Sequence, residues 1–462
     1  MNTDNSTVGA IKAETGFAFT VGTLVYSRSG LIVLFSWLLW GDFVFTLMYN
    51  TMPSLLPVLL KGYGATNQQI SFFTSGIAML ANLVMNPIIS YRSDRYRSRW
   101  GRRRPFILWT MPFVVFFMAA VPFAPEILAW ISHSSILSRL LGHSPISPLI
   151  LIFGCLVAGF QIFNIFVSSV YYYLIPDVVP RPLLGRFYAL FRVFGSLAGL
   201  VFNYFLFGLA DSHMKAIFVG IAVFYGVMIT VVCIRIKEGE YPPPEREDSN
   251  HWWSGIKNYA RECFGQGYFW WVFMAYSCVI WSSNIGITFM VFFYRDEIGF
   301  SLDSFGKLMA AGGVLTTVLI YPMGVLLDRW GSHKSLIVGQ MTIAIVSLLA
   351  FLTIHGKLIG SFWGIVLIAC ISFQTIAILK WTADVYPRER YGQFGSAGAM
   401  FSSFGSVILS VLCGAIMDWF KTYRCFWLWF TFFALLGAIM AWIVYRKQVE
   451  STVAEPIVFE NH

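Results

Sequence analysis

The chain has 462 residues, 57% of them hydrophobic and only 12% charged, and its mean hydropathy is +0.67. Soluble domains carry about 25% charged residues, so the composition excludes a water-soluble enzyme and predicts an integral membrane protein. The formal net charge of +9 sits mostly between long apolar runs, not along one basic face, which argues against a nucleic-acid partner.

A helix needs about 20 apolar residues to cross a bilayer. Residues 1–30 are polar, with Lys12 and Arg28 as their bases, and lack the basic start, short apolar core and cleavage site of a signal peptide. They are expected to form a cytoplasmic N-terminal segment ahead of an uncleaved first span. Twelve spans follow, near 31–57, 68–91, 105–124, 148–175, 187–208, 214–235, 268–294, 304–327, 335–354, 361–383, 393–416 and 425–445. The arginine-rich stretch SYRSDRYRSRWGRRRPFI lies between the second and third. Lys and Arg collect on cytoplasmic helix ends, so this bias puts both termini inside, as an even number of spans requires.

The first span carries Asp42 near its middle, with Thr46 and Tyr49 at i+4 and i+7 on the same face. An ionisable group at midplane costs about 2.5–3.5 kcal/mol on insertion scales and marks a functional position by default. Asp42 reads as an acceptor for substrate hydroxyls, as a proton carrier, or as the structural partner of an interior arginine. The second span has Asn82 and Asn86 ahead of Pro87. The fourth carries a stripe of Gln161, Asn164, Ser168 and Tyr171 or Tyr172. Amides and hydroxyls bond sugar hydroxyls at donor and acceptor ends, and aromatic faces cover the C–H face of a sugar ring. In the fifth span Arg192 leads a polar or small stripe of Ser196, Gly199 and Asn203. It lies roughly 7.5 Å inside at 1.5 Å per residue, so it either lines a cavity or snorkels to the cytoplasm.

The segment 237–267 is charged and Pro-containing, then amphipathic around Trp252, Trp253, Ile256 and Tyr259. It reads as a cytoplasmic linker with an interfacial helix, dividing a bundle at 31–236 from one at 268–445, with a cytoplasmic tail at 446–462. The seventh span repeats the polar recipe with Ser277, Trp281, Asn284 and Thr288, and the tenth has Gln374 and Trp381. Each stripe could instead serve interhelical hydrogen bonding. Lys380, near the end of the tenth span, reads as a snorkelling lysine. The seven cysteines and seven histidines show no paired spacing, so no disulfide framework, metal site or cofactor site is expected, and no hydrolase, zincin or P-loop motif occurs.

The two halves echo each other. DVVPRPLLGRF, Asp177 to Phe187, matches DVYPRERYGQF, Asp384 to Phe394, each between the fourth and fifth span of its half. Asp94-Arg95 followed by Gly101-Arg102-Arg103-Arg104 matches GVLLDRWGSHK, Gly324 to Lys334, between spans two and three. Parallel six-span repeats imply two bundles that rock about a midplane site.

The G-x-x-x-D-R-x-G pattern resembles the cytoplasmic signature of the major facilitator superfamily. Its extended R-S-R-W-G-R-R-R-P-F-I form resembles the glycoside–pentoside–hexuronide:cation symporters of melibiose-carrier type and the plant sucrose transporters, and Trp40–Phe43 (WGDF) is similar to the melibiose-type first helix. The resemblance covers essentially all twelve spans. It implies an all-α membrane protein of twelve transmembrane helices in two six-helix bundles, the major facilitator fold, with a sugar-binding aspartate at Asp42 and a functional arginine at Arg192. The chain departs from those carriers where they have acidic residues: Asn82 and Asn86 replace two helix-two aspartates and Ser168 a helix-four acid, while Met400 falls where they have a helix-eleven lysine. Neutral amides hold Na⁺ weakly, so proton coupling through Asp42 is expected, with Asn82 and Asn86 beside the coupling site and uniport left open.

These readings converge on a secondary transporter of the cytoplasmic (inner) membrane, both termini cytoplasmic. It would move a di- or small oligosaccharide with H⁺, function as a monomer and have lipid as its other partner. Expected substrate contacts are Asp42, Tyr49, Gln161, Asn164, Ser168, Tyr172, Arg192, Trp281, Asn284 and Gln374. Expected cytoplasmic latches are Asp94, Arg95, Arg102, Arg103, Asp177 and Arg181 in the first half and Asp328, Arg329, Asp384 and Arg388 in the second. An amphipathic substrate is the alternative within transport; a non-transporting membrane sensor is the alternative outside it.

Overall fold

A computed structural model describes residues 19–21, 23–132, 147–239, 259, 261–387 and 390–454; within these, the side chains of 86, 87, 90, 91, 94, 95, 185, 189 and 451–454 are not described. The chain is almost wholly helical, as bilayer crossing demands when no water can satisfy backbone N–H and C=O groups. A short antiparallel hairpin, β1 (Phe19–Val21) and β2 (Leu24–Tyr26), precedes the first helix, a feature the polar N-terminal sequence does not announce. The first helix, α1 (Arg28–Gly62), starts at the Ser27 N-cap, whose hydroxyl accepts from the Gly30 N–H at 3.1 Å.

The second helix, α2, runs as three pieces, Asn67–Ser71, a π turn at Phe72–Gly76, and Ile77–Arg95, opened by a capping box between Thr66 and Gln69. Then come α3 (Arg104–Ala120), α4 (Pro148–Val178), α5 (Leu184–Val201, continued by a π turn at Phe202–Leu206) and α6 (Ala210–Arg235). In the second half, α7 (Gly267–Ile280) continues through a π turn at Trp281–Ile285 to Glu297. It is followed by α8 (Leu302–Trp330), α9 (Ser332–Thr353), α10 (Lys357–Val385), α11 (Tyr391–Phe420) and α12 (Cys425–Ala454).

Helices thus lie at all twelve expected positions among the described residues. Among the described residues, eleven are long and apolar enough to cross a membrane; α2 is the exception, because Asn82, Asn86, Arg92, Asp94 and Arg95 dilute its last piece. The protein is an integral, multi-pass membrane protein.

The helices group into two compact units, Met1–Ala65 with Ile77–Arg246, and Thr66–Gly76 with Glu247–His462. The first turns of α2 therefore belong to the second unit. There Asp418 of α11 accepts from the Asn67 N–H (3.3 Å), Asn67 Nδ2 (2.8 Å) and the Gln68 N–H (3.2 Å). Close packing there needs Gly414, since a Cβ at that position would lie 2.4 Å from the Asn67 carbonyl oxygen. In the first unit Gly41 plays the same part: its missing Cβ admits Tyr171, whose hydroxyl donates to the Leu38 carbonyl at 2.6 Å. Small residues that let helices approach are the usual device where lipid removes the hydrophobic drive for association. Each unit has its own aromatic interior: Phe153, Phe160, Tyr171, Phe187 and Tyr225 in the first, Phe273, Trp381, Phe394 and Trp427 in the second.

Most of the expected linker, with Trp252, Trp253 and Ile256, lies outside the described residues, as do residues 1–18. Tyr259 is described; its hydroxyl is 2.7 Å from Ser396 Oγ on α11. Burial holds the Tyr259 hydroxyl above its ordinary pKa, against the opposing effect of that hydrogen bond.

Candidate functional site

In the first unit α1 presents Asp42 toward α5. Asp42 is 1% exposed. Thr46 Oγ1 donates to its Oδ1 at 3.4 Å, a long bond, and its Oδ2 is buried with no hydrogen-bond partner among the described residues. The α5 residue facing it is Gly195, where a Cβ would sit 3.4 Å from Oδ2 and 3.5 Å from Thr46 Oγ1. Four residues on, Gly199 faces Asn50. Small residues on α5 thus let the helix pack close against the carboxylate. The Arg192–Asn203 stripe places Arg192 exposed, and its charge acts on Asp42 through space, without a direct ion pair.

Tyr49 is 61% exposed and Tyr172 44% exposed, and Tyr172 lies within electrostatic range of Asp42, Tyr49 and Arg192. Of the two tyrosines the sequence left open, Tyr172 is the accessible one and Tyr171 is buried. Phe45 joins them, with ring centroids 6.2 Å from Tyr49, 5.7 Å from Tyr172 and 6.2 Å from Tyr225. The rest of the α4 stripe divides. Asn164 is buried and accepts from the Tyr225 hydroxyl at 3.5 Å, Ser168 donates to its own helix at Ile165, and Gln161 is partly exposed with no partner among the described residues. Asn82 donates to the Ala78 carbonyl at 3.0 Å, and the Asn86 side chain lies outside the described residues. Phe45, Tyr225 and Gly195 are the neighbours that sequence reasoning missed; only the i+3 spacing of Phe45 from Asp42 carried a signal.

In the second unit Trp281 is buried, its indole N–H donating to the Ser402 carbonyl at 2.9 Å and its ring filling the space above Gly405. It is a packing residue on this side of α7, whereas Asn284, in the same π turn, is exposed. Gln374 is 1% exposed, with both amide atoms lacking a partner among the described residues. Trp381, its expected stripe-mate, is buried and donates to His333 Nδ1 at 3.0 Å.

The latch residues of the first half are closely knit. Asp177 accepts from Arg102 Nη2 at 2.7 Å and from Arg102 Nε and Arg103 Nε, both at 3.2 Å. Glu238, just beyond α6, receives the backbone N–H groups of Arg102, Arg103 and Arg104 at 2.8–3.1 Å. This residue, read only as linker, caps the start of α3 from far along the chain. Arg181 is exposed and makes no ion pair among the described residues, and the side chains of Asp94 and Arg95 are not described. In the second half Asp328 pairs with Lys380 at 2.6 Å. Arg329 is exposed, Asp384 lines a cavity with His333 and Lys334, and Arg388 lies outside the described residues. Among the described residues no three His, Cys, Asp or Glu side chains group as a metal site would.

A family model described as Major Facilitator Superfamily matches residues 38–379 and 318–458. A curated relative, the general alpha-glucoside permease of Schizosaccharomyces pombe, is 27% identical over 177 residues, a match spanning 37% of this chain and 31% of the permease. Among solved structures, a D-xylose-proton symporter superposes with a TM-score of 0.63 at 15% identity, covering 90% of this chain and 96% of the symporter. A bacterial homologue of the human lysosomal transporter Spinster gives 0.64 at 15% identity, covering 92% and 98%. At such identities these structures speak to the fold.

Proposed function

Because the chain belongs to the Major Facilitator Superfamily, whose members are membrane transporters, we propose that it carries a glycoside, a di- or small oligosaccharide, together with a proton, in the manner of the melibiose-type carriers. The observation that carries this reading is Asp42: a buried carboxylate with one oxygen unpartnered among the described residues, facing Gly195 and near the exposed rings of Tyr49 and Tyr172. An unpaired buried carboxylate oxygen is costly, and either of two events removes the cost. A sugar hydroxyl can donate to it, or a proton can neutralise it. Aromatic faces alongside suit the C–H face of a sugar ring, and the partial likeness to an alpha-glucoside permease supports the same substrate class. Neutral Asn82 and Asn86 stand where sodium-using melibiose carriers have aspartates, which supports proton over sodium coupling. The two bundles, 31–236 and 268–445, joined by 237–267, would alternate access in the inner membrane with both termini cytoplasmic.

The test is uptake of labelled disaccharides into proteoliposomes under imposed gradients. Accumulation against a concentration gradient is expected with a proton gradient and not with a sodium gradient. Asp42→Asn is expected to abolish accumulation. Accumulation that requires sodium would overturn the coupling assignment, and no sugar entry under any gradient, with folded protein, would overturn the substrate class.

A further inference from the structure

The repeat that relates the two halves brings together two glycines, Gly101 and Gly331, each followed by the start of the third helix of its half. Both take a positive φ, +100° and +76°, Gly101 three residues ahead of α3 and Gly331 directly ahead of α9. What fills the space in front of each glycine differs. At Gly101 an added Cβ would lie 2.6 Å from the Glu238 carboxyl group, whose oxygens receive the N–H groups of Arg102, Arg103 and Arg104. At Gly331 nothing lies within 4 Å of the same point. The helix that follows, α9, starts with no side-chain cap. In place of a carboxylate there is a cavity of about 580 Å³, lined by Trp330, Ser332, His333, Lys334, Trp442 and Tyr445, with Asp384 at its wall.

The cavity gathers the groups that an anion site uses. The first N–H groups of a helix have no intrahelical partner and carry the positive end of the helix dipole. Ser332 is 5% exposed, lines the cavity and has no hydrogen-bond partner among the described residues. Lys334 rests over the Trp330 ring at 5.8 Å and Arg446 over the Trp442 ring at 4.9 Å, and neither pairs with a carboxylate among the described residues. Asp384 also lines the cavity and opposes an anion. Its counterpart Asp177 likewise shares its arginines with Glu238 in the first half. The reason α12 does not supply the missing carboxylate is plain: α6 ends at Arg235 and the chain turns Glu238 back, whereas α12 runs on as helix to Ala454.

We infer that this cavity binds the phosphate of an anionic phospholipid headgroup, which takes the position that Glu238 occupies in the first half. The exposed rings at its rim, Trp330 (37%), Trp442 (48%) and Tyr445 (45%), favour a lipid over free phosphate. Such amphipathic aromatics belong at the membrane–water boundary, where basic pockets between helices take lipid headgroups.

The test is native mass spectrometry of the full-length protein with phosphatidylglycerol, phosphatidylcholine or inorganic phosphate added. Retained phosphatidylglycerol is expected on the wild-type chain, with roughly tenfold weaker retention on Lys334→Gln/Arg446→Gln. Ser332→Asp is expected to displace the lipid while leaving the melting temperature unchanged or higher, since its carboxylate would supply the missing cap. Equal retention of phosphatidylglycerol by wild type and both variants overturns the site. Displacement of the lipid by millimolar inorganic phosphate, or equal retention of phosphatidylcholine, overturns the assignment to an anionic lipid.

Discussion

Glu238 shows how much a single side chain can organise. One carboxylate satisfies three N–H groups at the head of α3 and packs against a glycine that tolerates no Cβ. Glu238→Ala is expected to lower stability by about 1–2 kcal/mol, the usual worth of a helix cap, readable as a lower melting temperature in detergent. Gly101→Ala should cost at least as much, because it meets both the positive φ and the carboxylate. Neither role was legible in the sequence, since a cap contributed from over 130 positions away leaves no local pattern. Asp42 was legible for the opposite reason: a charge inside an apolar run stands out without any partner in view. The distance at which Arg192 stands from it was not, because spacing along a helix says which face a residue takes but not how far a neighbouring helix holds it. Of the paired tyrosines Tyr171 and Tyr172, only contact with Gly41 decides which is buried.

At the level of elements, π turns interrupt α2, α5 and α7; those in α5 and α7 hold Asn203 and Asn284. Such bulges are frequent at functional positions. Asn284→Ala is expected to raise the KM for sugar by roughly two- to tenfold with the maximal rate nearly kept, as loss of one hydrogen bond to substrate would; an unchanged KM would remove Asn284 from the site. The junction of α2 with α11 gives a second expectation. Asp418→Asn weakens three hydrogen bonds, and Gly414→Ala drives a methyl into the Asn67 carbonyl, so each should cost about 1–3 kcal/mol. Faster hydrogen exchange across 66–76 would register that loosening. The positions of the helices could be read from apolar runs alone, although α2 is too polar in its last piece to qualify by apolarity. The π turns could not, because no residue type marks them, and the β1–β2 hairpin was hidden in a short segment that reads as polar leader.

For the whole molecule, the repeat was the most informative property of the sequence. It matched Asp177 with Asp384, and Gly101 with the segment Gly324 to Lys334, at corresponding places in the two halves. Its limit is that similar loops need not close in the same way: Asp177 grips arginines, while Asp328 takes Lys380 and Asp384 borders a cavity. The Lys and Arg distribution also sets an expected orientation. A C-terminal epitope tag should be protected from protease in right-side-out vesicles and cleaved in inverted ones; the reverse pattern would invert the proposed topology.

The contrast between Gly101 and Gly331 reaches beyond either turn. One half carries its counter-ion in its own covalent chain, so its firmness is fixed once the polypeptide is made. The other leaves that place open, so its firmness would follow whatever membrane the protein inhabits. Two hosts that read the same gene but make different lipids would then hold proteins of one sequence and unequal halves.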